Sequence, residues 1–210
     1  WKSIDDLYCN FPQPIKIERY MFKSTQDTLR LMPRLADRSV VIKPVDPIYI
    51  SAGQRGMLYI STPLWLAGFV DGQKDPLFDI PVILPKDTWF GPNHRTGEIC
   101  YATAVDGRTE LQQLKSRAFR AVTPIEFHNT SSQQLRFDRM NVPVSALPLF
   151  YSESTSRLWT SQLKDIHEAL DKPARIRIAN RTPPHAGEVI YVHPPRSPGG
   201  HLFNMFDSFF

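Results

Sequence analysis

The densest group of chemically capable side chains is the stretch Asp87-Thr88-Trp89-Phe90-Gly91-Pro92-Asn93-His94-Arg95-Thr96-Gly97-Glu98. It holds two carboxylates, an imidazole, a guanidinium and two aromatic rings, with glycines for turns. Binding groups gather in loops that a rigid scaffold presents, so Asp87, Trp89, His94, Arg95 and Glu98 form the candidate ligand or partner surface. His94 and Glu98 stand four positions apart, and His128 on a later strand would complete a set of N and O donors for a divalent metal. The second imidazole such a site needs near His94 is missing. A structured turn is the plainer reading, with Trp89 and Phe90 plugging one end of the fold, and no metal is expected. His185, His193 and His201 recur every eight residues, but the proline-rich chain between them offers no element to converge them.

Other chemistries lack their patterns. No G-x-S-x-G or glycine-rich phosphate loop occurs, so neither a serine nucleophile nor a nucleotide cofactor is expected. Cys100 lies inside an alternating apolar run and reads as a small buried hydrophobe. Arg175 and Arg177 share one strand face, near Lys172 and Arg181, without the aromatics on which RNA-binding sheets stack bases. No nucleic-acid partner is expected. Trp65, Trp89 and Trp159 would serve a carbohydrate or small-ligand binder if their rings lined a groove.

The elements that must position these groups are mostly strands. Glu98 to Val105 and Ala121 to His128 carry alternating or doubly apolar runs, and so do Ser39 to Lys43, Ile48 to Ser51 and Met57 to Ser61. Residues 64–70 are apolar on both faces and read as a central strand, while Pro81 within residues 77–84 argues for an edge or a bulge. Turn residues at 52–56, 129–132 and 152–154 predict three hairpins. The spacing of Leu111, Leu114 and Phe119 predicts a helix over 109–120, and 164–170 reads as a second, short one. Residues 188–192 are expected to pair with 175–179. The sum is an all-β chain, a two-sheet antiparallel sandwich of jelly-roll type.

Nineteen prolines among 210 residues imply short elements with stiff ends. The 25 basic and 21 acidic residues are interspersed, leaving a net charge of +4 without a basic block. No run approaches the about 18 apolar residues of a membrane span, and a cytoplasmic location is expected. The two cysteines, Cys9 and Cys100, permit one bridge without demanding it. Residues 1–180 read as the sandwich domain and 181–210 as a proline-rich arm with an aromatic tail. On a helix, Leu202, Phe203, Phe206, Phe209 and Phe210 would share one face. Leaving so much apolar surface in water is unfavourable, so the tail is expected to dock on its own domain, on a second copy or on a partner.

Three segments carry a family resemblance: R-S-V-V-I-K-P-V-D-P-I-Y-I-S with M-L-Y-I-S-T-P-L-W-L over 38–70, G-E-I-C-Y-A-T-A-V over 97–105, and T-P-I-E-F-H-N-T-S-S-Q-Q-L-R-F-D-R-M-N-V over 123–142. Their order and spacing resemble the prokaryotic domain-of-unknown-function family numbered 432, across roughly residues 38–160. That family has no established activity, so the resemblance implies a β-rich fold and transfers no catalytic residues. The functional expectation is a non-enzymatic binding or protein-interaction module with a docking tail. The alternatives are a cupin-like metal-dependent enzyme using His94, Glu98 and His128, and a carbohydrate or small-ligand binder.

Overall fold

The computed structural model describes residues 19–21, 28–44, 46–91, 95, 97–105, 107–167, 175–179, 182–196 and 202–204. Residues 15–22, whose period-two alternation predicts a strand, fall almost entirely outside them. Among these residues the chain is all-β. Its strands are β1 (Leu29–Arg34), β2 (Val40–Pro44), β3 (Ile48–Ile50), β4 (Arg55–Pro63), β5 (Trp65–Val70), β6 (Phe78–Pro81), β7 (Lys86–Phe90), β8 (Glu98–Val105) and β9 (Arg120–Asn129). They continue as β10 (Leu135–Phe137), β11 (Met140–Val142), β12 (Leu149–Ser152), β13 (Arg157–Thr160), β14 (Leu163–His167), β15 (Arg175–Ile178), β16 (Val189–His193) and β17 (Leu202–Asn204).

A three-stranded sheet has the order β1-β5-β6, a four-stranded sheet β11-β2-β8-β7, and β3 pairs with β10. The largest sheet runs β16-β12-β13-β9-β14-β15-β17, with β4 on the remaining edge of β9. Strand β5 is the doubly covered centre of its sheet, and β6, with Pro81, is an edge. An antiparallel arrangement was expected; the three-stranded sheet and the β3-β10 pair have it, but the four-stranded and largest sheets are mixed. β2 pairs parallel with β8, and β9 pairs parallel with both β13 and β14. Parallel neighbours need crossover connections rather than hairpins, and each of these pairs is joined through a long stretch of intervening chain.

Strand β9 is the spine. β13 and β14 lie in succession along one edge, at Ala121–Val122 and then from Ile125 onward, while β4 covers the other edge. Pro124 falls between the two parallel partners and opposite Tyr59 of β4. A central strand normally excludes proline, which has no N–H to give the ladder. Here the missing donor does no harm. Tyr59 exchanges backbone hydrogen bonds with Arg108 on its far side (2.7 and 3.0 Å), so it does not bond Pro124, and the proline nitrogen faces the gap between β13 and β14.

Both faces of this spine are covered. Leu58 and Ile60 of β4 and Ile125 and Phe127 of β9 enter the main core with Ile42, Met140, Val142, Leu149 and Leu163. On the other face Tyr59 and Val122 join Leu114, Phe150, Trp159 and Ala186 in a second cluster.

Several local expectations are corrected. The 109–120 segment forms only a single 3-10 turn at Leu111–Gln113. The Arg108–Tyr59 bridge fixes one end and β9 the other, and an isolated helix of that length is marginal without a long packing face. One turn suffices to bring Leu111 and Leu114 to the second cluster. Residues 164–167, the described start of the helix expected over 164–170, belong instead to strand β14, with Leu163 and Asp165 buried. The turn after Ile50 forms, with Gly53 at φ 71°, yet β3 and β4 do not pair. β9 and β10 do not pair either. Asn129 explains both: its fully buried side-chain amide donates to Ile50 O (3.0 Å), Ser51 O (3.2 Å) and Gln133 O (2.8 Å), while its Oδ1 accepts from Ser131 N–H (3.1 Å) and Oγ (2.6 Å). It pins the two turns together, so each outgoing strand pairs across rather than back. The β12–β13 hairpin forms as expected.

The described part of 181–210 is built into the body. β16 pairs with β12, not with 175–179, and Leu202–Asn204 pairs with β15 as a strand where a helical face was expected. Phe206, Phe209 and Phe210 lie outside the described residues. No helix among the described residues is long and apolar enough to cross a membrane.

Candidate functional site

Prolines bound the strand ends of the four-stranded sheet. β2 stops at Lys43-Pro44, and β7 starts at Lys86 directly after Pro85. Proline cannot extend the ladder, so this end of the sheet opens into a cleft of about 1000 Å³ with Pro44, Pro47, Pro63 and Pro85 in its walls. Val40, Val41 and residues 101–104 also line it, and Ile83 and Leu84 add apolar walls that are 51% and 86% exposed.

Its charge is one-sided. Among the described lining residues, Lys43, Lys86, Arg120, Arg136 and Arg139 face one carboxylate, Asp138, which pairs with Arg136 at 3.5 Å. Arg139 has its guanidinium 5.2 Å from the Phe90 ring centroid, held by the ring's negative face. Arg120 donates to Ser61 O at 3.0 Å, and burial, with Arg117 second, lowers its pKa below the ordinary arginine value. Among the described lining residues there is no His, Cys or Glu. Thr88, Thr103 and Tyr101 supply hydroxyls, and Tyr101 donates its own to Asp37 at 3.0 Å. The cleft has binding groups and no evident acid–base pair.

The stretch read as a loop is largely a hairpin: β7 runs antiparallel to β8, from Lys86 opposite Ala102 to Phe90 opposite Glu98. Asp87 and Trp89 point away from the face that carries Lys86 and Thr88 into the cleft. Asp87 makes an exposed 3.7 Å ion pair with Arg38, whose guanidinium lies over the Tyr101 ring. Trp89, 41% exposed, lies so close to Gly97 that a Cβ there would come within 2.5 Å of the indole. Glu98 accepts a hydrogen bond from Asn141 Nδ2. Arg95 is exposed, and His94 lies outside the described residues. None of the described residues among these five lines the cleft.

The remaining candidates are dispersed. His128 is in β9, opposite Arg55 of β4, and no group of three His, Cys, Asp or Glu side chains gathers among the described residues. His185 Nδ1 meets the Tyr59 hydroxyl at 2.8 Å, and His193 Nδ1 lies 2.8 Å from Pro194 O with its ring beside Phe69. Trp65 and Trp159 are core residues, so the three tryptophans expected of a sugar platform do not line one groove. Cys100 is a buried free thiol whose pKa is pushed up to about 12, first by burial and then by the Glu98 carboxylate. It stays protonated and is no nucleophile. Cys9 lies outside the described residues. The cations of the cleft form no run in the sequence: Lys43, Lys86 and Arg120 stand far from one another and from Arg136 and Arg139. The visible signal was a lysine beside a strand-ending proline, at Lys43-Pro44 and Pro85-Lys86.

A sequence profile of the family described as "Protein of unknown function (DUF432)" matches residues 4–207. No curated protein and no solved structure matches the chain.

Proposed function

The chain belongs to the DUF432 family of proteins of unknown function, and we propose that it is a non-enzymatic binding module whose basic cleft takes an anionic ligand. One observation carries this reading: among the described lining residues, five cationic side chains stand against one carboxylate. Low-dielectric walls focus such a field and raise the local concentration of anions. Ile83 and Leu84 add apolar surface whose burial by the ligand is favourable. The ligand is therefore an anion with an apolar part. We read the stacked strands as a jelly-roll-like two-sheet sandwich, a reading supported by the single large core to which strands of all four sheets contribute.

The test uses a fluorescent tetraglutamate peptide and fluorescence anisotropy at low salt. Tetraglutamate is expected to bind, with tetralysine as the non-binding control, and affinity should fall as salt screens the cleft. Arg139→Glu and Lys86→Glu should each weaken binding by about tenfold or more, the worth of one charge-assisted contact. Equal binding of the two peptides would sink the proposal.

The tail belongs to the same proposal as an assembly element. β17 lies at one end of the strand order of the largest sheet, and a sheet edge offers backbone groups to a further strand. Deleting residues 199–210 is expected to lower the mass measured by light scattering from oligomer to monomer. An unchanged mass together with unchanged partner recovery removes the assembly role.

A further inference from the structure

Arg120 borders two hollows. Beyond the basic cleft it also lines a second one, of about 540 Å³, walled by Arg117, Phe119, Tyr151, Arg157 and Ile190. No carboxylate lines this second hollow among the described residues. Phe119 is its unusual member. Its backbone sits at φ 59°, in the left-handed region that glycine tolerates and a bulky side chain does not. Its carbonyl accepts Leu64 N–H at 3.1 Å, which fixes this conformation. The ring is nevertheless 61% exposed. A glycine would make the same bend without strain and without an exposed ring, so nothing inside the described fold rewards a phenylalanine here. Backbone strain of this kind concentrates where a ligand is held. The other left-handed residue lining this hollow, Ser156, is accounted for by the β12–β13 turn, where its N–H reaches Glu153 O at 3.3 Å.

We propose that the two hollows form one track, joined at Arg120, for an extended acidic peptide segment of a partner protein. This rests on the anion-binding reading of the cleft and names its ligand. Peptide carboxylates would meet Lys86, Arg139, Arg120 and Arg117 in turn, and an apolar side chain would cover Phe119. The chemistry favours a peptide over a nucleic acid. Single strands stack successive bases on free aromatic faces; among the described residues the cleft walls are aliphatic and proline-rich with one ring, Tyr101, already packed against Trp65 and under Arg38, and exposed rings, Phe119 and Tyr151, line only the second hollow. Alternating acidic and apolar residues suit both the cations and the exposed Leu84, Ile190 and Phe119.

The full chain is titrated with tetraglutamate and with a peptide of about twelve residues alternating Glu with Leu and Phe, which spans about 40 Å when extended. The long peptide is expected to bind at least about tenfold more tightly than tetraglutamate. Phe119→Gly and Arg117→Ala should each remove most of that gain while leaving tetraglutamate binding unchanged. Arg139→Glu should weaken both. Phe119→Gly relieves the left-handed strain, so its melting temperature should be unchanged or higher, and a binding loss cannot be laid to misfolding. A long peptide no tighter than tetraglutamate, or indifference to Phe119→Gly, overturns the track and leaves the cleft standing. Failure of tetraglutamate itself overturns the cleft. Tighter binding of oligothymidylate that depends on Phe119, or a dimer abolished by Phe119→Gly, would assign the second hollow to another occupant and also overturn the proposal.

Discussion

Asp79→Ala is expected to destabilise the protein by about 3–5 kcal/mol, the cost of stranding buried charges. Asp79 sits between two guanidiniums. Its Oδ2 accepts from Arg34 Nη1 at 2.6 Å and from Arg196 Nη1, and its Oδ1 accepts from Arg196 Nη2 at 2.8 Å. The side chains are nearly enclosed, with Arg34 and Arg196 each 14% and Asp79 18% exposed, so water gives the cations little relief. Arg196 also donates from Nε to Leu35 O at 2.6 Å, and its backbone N–H to Ser145 O at 2.8 Å. Removing the carboxylate leaves two like charges facing each other and releases the chain after β16 from β1 and β6. Chemical denaturation followed by circular dichroism measures the loss. Adding Arg34→Met and Arg196→Leu to Asp79→Ala should restore part of it, because apolar replacements remove the unpaired charges. A loss below about 1 kcal/mol in the single variant, the range of an exposed pair, would show that the cluster is not enclosed.

The second large effect is expected at Trp159, which is wholly buried in the smaller core. It stands opposite Phe150 of β12 and beside Val122 of β9, so it cements the β12–β13 hairpin to the spine. Trp159→Ala empties that position and should cost about 3–5 kcal/mol. The indole N–H also donates to Thr155 Oγ1 at 3.0 Å, and Thr155 Oγ1 in turn bonds Ser152 Oγ at 2.9 Å. Trp159→Phe loses that bond and a smaller part of the packing, so about 1–2 kcal/mol is expected. Urea titrations read by far-ultraviolet dichroism separate the two. Equal losses for both variants would mean that the hydrogen bond, not the volume, holds the hairpin.

The all-β character was legible because alternation reports which side of a strand is buried. Glu98 to Val105 and Ala121 to His128 declared themselves this way, and Pro81 marked an edge or a bulge. Alternation does not report which strand lies alongside. The turns after Ile50 and Asn129 looked like hairpin turns, and one buried amide at Asn129 sends their strands elsewhere. Strand β7 was hidden because Asp87-Thr88-Trp89-Phe90 has the composition of a loop and reveals its period of two only once β8 is beside it. The 109–120 helix failed because apolar spacing over three residues predicts a face but not the room to form it. The basic cleft was illegible for a simpler reason. Lys43, Lys86, Arg120 and Arg139 are scattered along the chain, and only the meeting of β2, β7, β8 and β9 gathers their charge.

The position of β9 also dictates the order of events at the ribosome. Its antiparallel neighbour is made before it, but both strands that complete its other edge come afterwards. Until translation passes residue 167, the longest of the described strands, which carries Val122, Ile125 and Phe127, has an open flank. Nascent chains with such a flank invite chaperones or one another, and the nitrogen-blocked proline at its middle is the one break in that adhesive edge.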